Sequence, residues 1–140
     1  MSEPDNSAGE IWGLIQGVFD SFAGRDVQGM EDLLHDDCTL WDLFEPELIV
    51  GKEEREAFHE RDKTQSMARG SLSITIDPLK LDVYDDVAVA RYWLEFTYKP
   101  PNATSGRVRI TDVLLRTPNG WRIVHHHEGM EPSGVPPITE

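Results

Sequence analysis

The stretch Val87-Ala88-Val89-Ala90-Arg91-Tyr92-Trp93-Leu94-Glu95-Phe96-Thr97-Tyr98 decides the fold. Its β-branched and aromatic content reads as a long strand. Apart from Arg91 and Glu95 it is apolar on both faces, which places it inside a sheet covered on both sides. Upstream, Leu72, Ile74 and Ile76 alternate with polar residues, and after Pro78 the alternation resumes at Leu79, Leu81 and Val83. Asp85-Asp86 makes the turn between these runs. Downstream, a hairpin loop from Pro100 to Gly106 leads to a strand from Arg107 to Thr117. Pro118-Asn119-Gly120 then turns into a last strand, Trp121 to Glu128.

Before this meander the period is helical. Ile11, Leu14, Ile15, Val18, Phe19 and Phe22 recur at spacings of three and four. Ser7 with Glu10 reads as a capping box, and Gly24 as a C-terminal stop. A shorter helix follows, capped by Asp26, with Val27, Met30, Leu33 and Leu34 facing inward. His35-Asp36-Asp37 breaks that pattern, Cys38 to Trp41 reads as a short strand, and Leu48-Ile49-Val50 is a second candidate. The charged segment Lys52 to Arg69 is expected to be a mostly solvated helix over an edge, burying only Ala57, Phe58 and Met67.

The fold class is therefore α+β, a curved antiparallel sheet wrapped on N-terminal helices. Helices cover one face; a second subunit is the simplest cover for the other, so a homodimer is expected. Residues 1–128 are expected to form one domain, and 129–140 a loosely held tail rich in Pro and Gly.

The 140 residues carry a formal net charge of −13. That balance repels phosphate backbones and anionic lipid, so neither nucleic acid nor membrane is an expected partner. Cys38 is the sole cysteine, which rules out an intrachain disulfide. Met1 to Gly9 is acidic and polar and has no apolar core of a signal peptide. No apolar run approaches the roughly 18 residues of a spanning helix. A cytoplasmic location is expected, and the sequon at Asn102 is read as loop composition.

The strand pair from Thr111-Asp112-Val113 through Trp121-Arg122-Ile123-Val124-His125-His126-His127 resembles the ending of the nuclear transport factor-like superfamily. So does Phe44-Glu45-Pro46-Glu47 followed by Gly51. The superfamily includes SnoaL-like polyketide cyclases, ketosteroid isomerases and the association domain of calcium/calmodulin-dependent kinases. The likeness runs from about Ile11 to Glu128, with one departure: Gly120 directly precedes Trp121. It implies a cone-shaped, cystatin-like curved sheet around a small-molecule pocket. Set beside the association domain, Arg91 falls on one of its pocket arginines, while Asp112 stands where the other would be. Set beside the isomerases, Asp42 falls on the general-base aspartate and Asp112 on the acid that helps hold the oxyanion. Val18 falls on the oxyanion tyrosine, so that role would need Tyr92 or Tyr98 to reach in from the sheet.

Each candidate has two readings. Asp42, between Trp41 and Leu43-Phe44, is either a base with a raised pKa in an apolar pocket or a turn aspartate bonded to nearby backbone. Asp112, in mid-strand, needs a partner. Contact with Arg91 would make it an ionised pair, and without that contact it could be a neutral donating acid. His125 and His127 share a strand face, and His127 with Asp112 would form an acid/base dyad. The two histidines lack a third ligand, so no metal is expected, and no cofactor is implied. Trp41, Tyr92, Trp93, Phe96 and Tyr98, together with Phe44, are apolar ligand contacts or simply core. His35 and His59, in charged stretches, are expected at the surface.

Together these imply a pocket for a small organic ligand. If it is an enzyme, it would be a cofactor-free isomerase, lyase or cyclase acting on an enolisable compound. Asp42 would be the base and Asp112, His127 and Arg91 the polar end. The alternative is a non-catalytic association module that assembles into oligomers larger than a dimer.

Overall fold

A computed structural model describes residues 6–69, 71–100 and 103–132, with 65–69 described by backbone alone. The sequon residue Asn102, the Met67 side chain and tail residues 133–140 lie outside the described part. The elements are α1 (Ser7–Ala23), α2 (Val27–Glu31), β1 (Leu34–Trp41), β2 (Ile49–Val50), α3 (Gly51–Arg69), β3 (Leu72–Tyr84), β4 (Val87–Tyr98), β5 (Thr104–Thr117) and β6 (Gly120–Met130). One curved six-stranded sheet runs in the order β2-β1-β6-β5-β4-β3. Strands β3 to β6 form the expected antiparallel meander. The first strand differs: β1 lies parallel to β6, so the sheet is mixed rather than wholly antiparallel.

Helix α1 buries the stripe of Ile11, Ile15, Val18 and Phe19 against the inner face of the sheet, where Ala88, Ala90, Tyr92, Ile110 and Leu114 meet it. Its start departs from the sequence reading. Asn6 is the N-cap, no side chain caps the helix, and Ser7 is buried inside the first turn. The Ser7 hydroxyl accepts a hydrogen bond from the Arg116 guanidinium at 3.1 Å. Asp26 caps α2 as expected, accepting from the Gly29 amide at 3.0 Å. Strand β1 starts at Leu34 rather than Cys38, because the irregular pairing between Leu34 and Thr39 absorbs His35-Asp36-Asp37 into the strand.

Two glycines have structural reasons. Gly120 takes φ +101° in the β5–β6 turn, a conformation that side chains disfavour. Gly106 lies opposite Phe96 on β4, and a Cβ there would come within 2.8 Å of the ring. The missing side chain lets Phe96 lie across the strand pair.

Through residue 64 helix α3 is mostly solvated, as expected, but the residues it buries are not the expected ones. Arg55 and His59, one turn apart, are 1% and 5% exposed, while Ala57 is exposed and Phe58 half-buried. The Arg55 Nε and Nη2 donate to Glu31 at 3.1 and 3.2 Å, and its Nη1 donates to the carbonyls of Asp36 and Cys38 at 3.1 and 2.8 Å. His59 Nε2 meets Glu31 Oε2 at 3.1 Å. His59 is therefore an interior residue, not a surface one. These bonds tie α2, β1 and α3 together at one point. Burial pushes the Glu31 carboxyl up, but the hydrogen bonds and charges of His59 and Arg55 outweigh it and hold it at about 2.

Removing one partner from a buried pair leaves the other charge uncompensated. Arg55→Ala is therefore expected to destabilise the fold by about 3–5 kcal/mol, read as a lowered melting midpoint. With the folded Glu31 value near 2 and the ordinary value 4.5, the wild-type contribution is complete above pH 4.5 and is lost as pH falls towards 2. Arg55→Ala should flatten that acid limb; an unchanged melting curve would contradict this account.

Candidate functional site

Between the inner face of the sheet and the helices lies a cavity of about 330 Å³. Helix α1 contributes Val18, Phe19 and Phe22, and the sheet contributes Leu72, Ile74, Leu94, Phe96, Tyr98 and Val108. Phe58, His59 and Asp62 come from α3, and the segment after β1 adds Asp42, Leu43 and Phe44. The wall is mostly hydrocarbon. Its ionisable polar groups lie where the end of β1 meets β6, at Asp42, His126 and Glu128, and on α3, at His59 and Asp62.

These groups continue into the interior as one hydrogen-bonded chain. Asp42 shares a hydrogen bond with Glu128. Glu128 Oε1 accepts the Leu43 amide at 3.1 Å, and its Oε2 meets His126 Nε2 at 3.1 Å. His126 Nδ1 lies 2.5 Å from Asp112 Oδ1, and the Tyr92 hydroxyl donates to Asp112 Oδ2 at 2.5 Å. Asp112 is fully buried behind the cavity wall.

A histidine with a carboxylate on each nitrogen carries both protons. Burial disfavours that charge, but the charge of Asp112 and the hydrogen bonds to Asp112 and Glu128 hold His126 well above the ordinary histidine range. Glu128 shows the complement. Burial raises it, while the His126 hydrogen bond and charge, with the bond from Asp42, hold it below the ordinary carboxylate range. Asp42 is left as the group that keeps a proton. Burial, the Glu128 charge and the shared hydrogen bond push it up to about 7, and the Phe44 amide at 2.9 Å offsets this only partly. The Tyr92 phenol is pushed well above its ordinary value by burial and by Asp112, so it stays a donor.

Asp42 thus satisfies both sequence readings: it bonds the backbone of its own turn and faces the cavity. Phe44 lines the cavity at its rim, 72% exposed. Asp112 belongs to the chain but bonds Tyr92 and His126, not Arg91. Arg91 lies on the outer face and pairs with Asp82. Alternation explains this, because Asp112 sits opposite the inward Ala90 while Arg91, one residue on, points outward.

The histidines shift in the same way. His127 stacks on Trp41 with ring centroids 5.4 Å apart, and His125 Nδ1 meets the Thr39 hydroxyl at 2.7 Å, both on the outer face. Trp93 is also outside, under the Arg107 guanidinium at 4.0 Å. His127, His125, Trp41, Trp93 and Arg91 are therefore not brought to the cavity; His126 and Glu128 are. The cause is a β-bulge: Ile123 pairs with Leu114 and His125 with Val113, leaving Val124 as an extra residue that reverses the alternation. Of the two tyrosines considered in place of Val18, Tyr98 lines the cavity, while Tyr92 faces inward but is not part of the lining, its hydroxyl ending on Asp112.

Residues 11–131 match the SnoaL-like domain family. The chain belongs to that family. Solved structures of the SnoaL-like chain's neighbours share the fold at low identity. One is an NTF2-like protein with a cystatin-like fold from Novosphingobium aromaticivorans, 20% identical, with TM-score 0.78 over 89% of this chain and 82% of that one. Another is a ketosteroid isomerase-like protein from Erwinia carotovora atroseptica, 16% identical, with TM-score 0.74 over 94% and 100%. A candidate calcium/calmodulin-dependent protein kinase II association domain from Xanthomonas campestris is 23% identical, with TM-score 0.71 over 94% of each chain. No curated protein matches the sequence. Among the described residues, no helix is long and apolar enough to cross a membrane.

Proposed function

We propose that this SnoaL-like protein is a cofactor-independent acid/base enzyme that moves a proton on a small, largely apolar, enolisable compound held in the cavity. The observation that carries the reading is Asp42. It is a carboxyl on an apolar wall, poised at about 7 by burial and by Glu128. A base works best when its own affinity for the proton lies near the working pH. Asp42 is the group placed to take a proton from carbon and return it nearby, the exchange that isomerisation, dehydration and cyclisation share.

The remaining members of the chain act through Asp42. Both His126 nitrogens are engaged by carboxylates, so His126 is a positioning residue that keeps Glu128 ionised and aimed at Asp42. Asp112 and Tyr92 fix the ring from behind. The apolar walls leave the half-buried Asp42 carboxyl partly desolvated, which raises its affinity for the proton.

An enolisable ketone tests the reading without knowledge of the natural substrate. Exchange of the α-protons of 2-tetralone in deuterated buffer, followed by NMR, should be accelerated by the protein. The rate should rise with pH through about 7, because the base form of Asp42 accumulates there. Asp42→Asn should remove about a hundredfold or more of the acceleration. Equal exchange by the variant would take Asp42 out of the mechanism.

The outer face bears on the expected dimer: Val89, Trp93, Val113 and Leu115 are half-buried there and Trp41 is 45% exposed. We propose that a second copy covers this face, giving a homodimer. Light scattering should report twice the mass of 15.9 kDa. A monomer would reject the dimer, and a larger ring would favour the association reading.

A further inference from the structure

The charge on the cavity wall is one-sided. Among the described residues no Lys or Arg lines it; beside the Tyr98 phenol, its ionisable groups are the carboxyls of Asp42, Asp62 and Glu128 and the imidazoles of His59 and His126. Arg25 and Lys63 line a small adjoining cleft instead. Within the chain at the end of β1, three carboxyls, Asp42, Glu128 and Asp112, share the single imidazole of His126. That end is negative by one charge when Asp42 holds its proton and by two when it does not. An anionic ligand would meet repulsion there and no guanidinium or ammonium to answer it.

The rest of the wall fits a cation. Six aromatic rings, Phe19, Phe22, Phe44, Phe58, Phe96 and Tyr98, surround the space, and ring faces attract ammonium groups as well as hydrocarbon. A net charge of −13 raises the local concentration of cations around the molecule.

We propose that the ligand of this cavity is a small apolar amine bound as its ammonium. The charged nitrogen sits at the Asp42–Glu128 pair, and the hydrocarbon body lies against the aromatic walls. The inference rests on the reading that the cavity binds a small molecule and narrows its chemistry. The ammonium takes the place of the proton that Asp42 otherwise holds against Glu128, so binding ionises Asp42. Around Asp42 stand Glu128 and His126 from β6 and His59 and Asp62 from α3. Glu128 is held low and His126 high, so within the carboxyl–imidazole chain Asp42 is the group that releases a proton near pH 6.

Three matched probes test this on the wild-type protein by isothermal titration calorimetry at pH 6: 2-(1-naphthyl)ethylamine, 2-(1-naphthyl)ethanol and 1-naphthylacetate. The amine should bind about 10-fold or more tighter than the alcohol, the value of one charge-assisted hydrogen bond, and the carboxylate should bind weakest. Repeating the amine titration in buffers of different ionisation enthalpy should show release of about one proton per amine bound. Asp42→Asn should abolish the proton release and reduce the preference for amine over alcohol. Alcohol or carboxylate binding as tightly as the amine would overturn the proposal while leaving the cavity a binding site. Amine binding without proton release in the wild type would also overturn it. Failure of all three probes to bind would overturn both this proposal and the binding reading beneath it.

Discussion

The extra residue in β6 governs the whole arrangement. Ile123 and Trp121 must face inward, since they are 1% and 2% exposed and close the core beneath α1. With regular alternation His125 and His127 would follow them inward, and His126 and Glu128 would face out. The bulge at Val124 allows the core residues before it and the polar residues after it to share one face. It also sets His126 beside Asp112, its partner across the β5–β6 ladder. A buried aspartate in mid-strand is thereby satisfied by the sheet's own neighbours, with Tyr92 completing it from β4.

From that register the electrostatics follow. Each buried charge in the chain is answered by the next, which is the condition for keeping charge away from water. Asp112 and Glu128 hold the proton on His126; His126 holds Glu128 ionised; Glu128 then makes ionisation of Asp42 unfavourable. The perturbation is passed along the strand and delivered to the end group that meets the cavity. A second polar cluster, Glu31 with Arg55 and His59, does a different job. It fixes α3 to α2 and β1, and so fixes the helix that supplies Phe58, His59 and Asp62 to the cavity.

Much of the fold was legible because the apolar periods were long and clean. The stripe of α1 and the two-sided strand β4 have one satisfactory packing each, and turns such as Pro118-Asn119-Gly120 mark their own places. Asp42 was legible for the same kind of reason, a lone carboxyl embedded among Trp41, Leu43 and Phe44. The histidines were not. A run of three identical residues offers no internal signal of register, and Val124 looks like any other strand valine. Arg55 and His59 escaped because a charged helix reads as solvated until its partner Glu31, 24 residues away from Arg55, is known to lie beside it. Pairing between distant segments is what sequence period cannot report, and here it decided Arg91, Asp112 and His59 alike. The fold, shared with a ketosteroid isomerase-like protein and a candidate kinase association domain, does not choose between their activities; the carboxyl–imidazole chain is what bears on this protein's own chemistry.

The central claim is that the chain delivers a raised proton affinity to Asp42. The direct measurement is a carbon-13 NMR titration of the side-chain carboxyls, with Asp42 assigned by comparison with Asp42→Asn. A midpoint near 7 for Asp42, with His126 still protonated above that pH, is the predicted result. A midpoint near the ordinary 3.8 would contradict it and leave the cavity without a base.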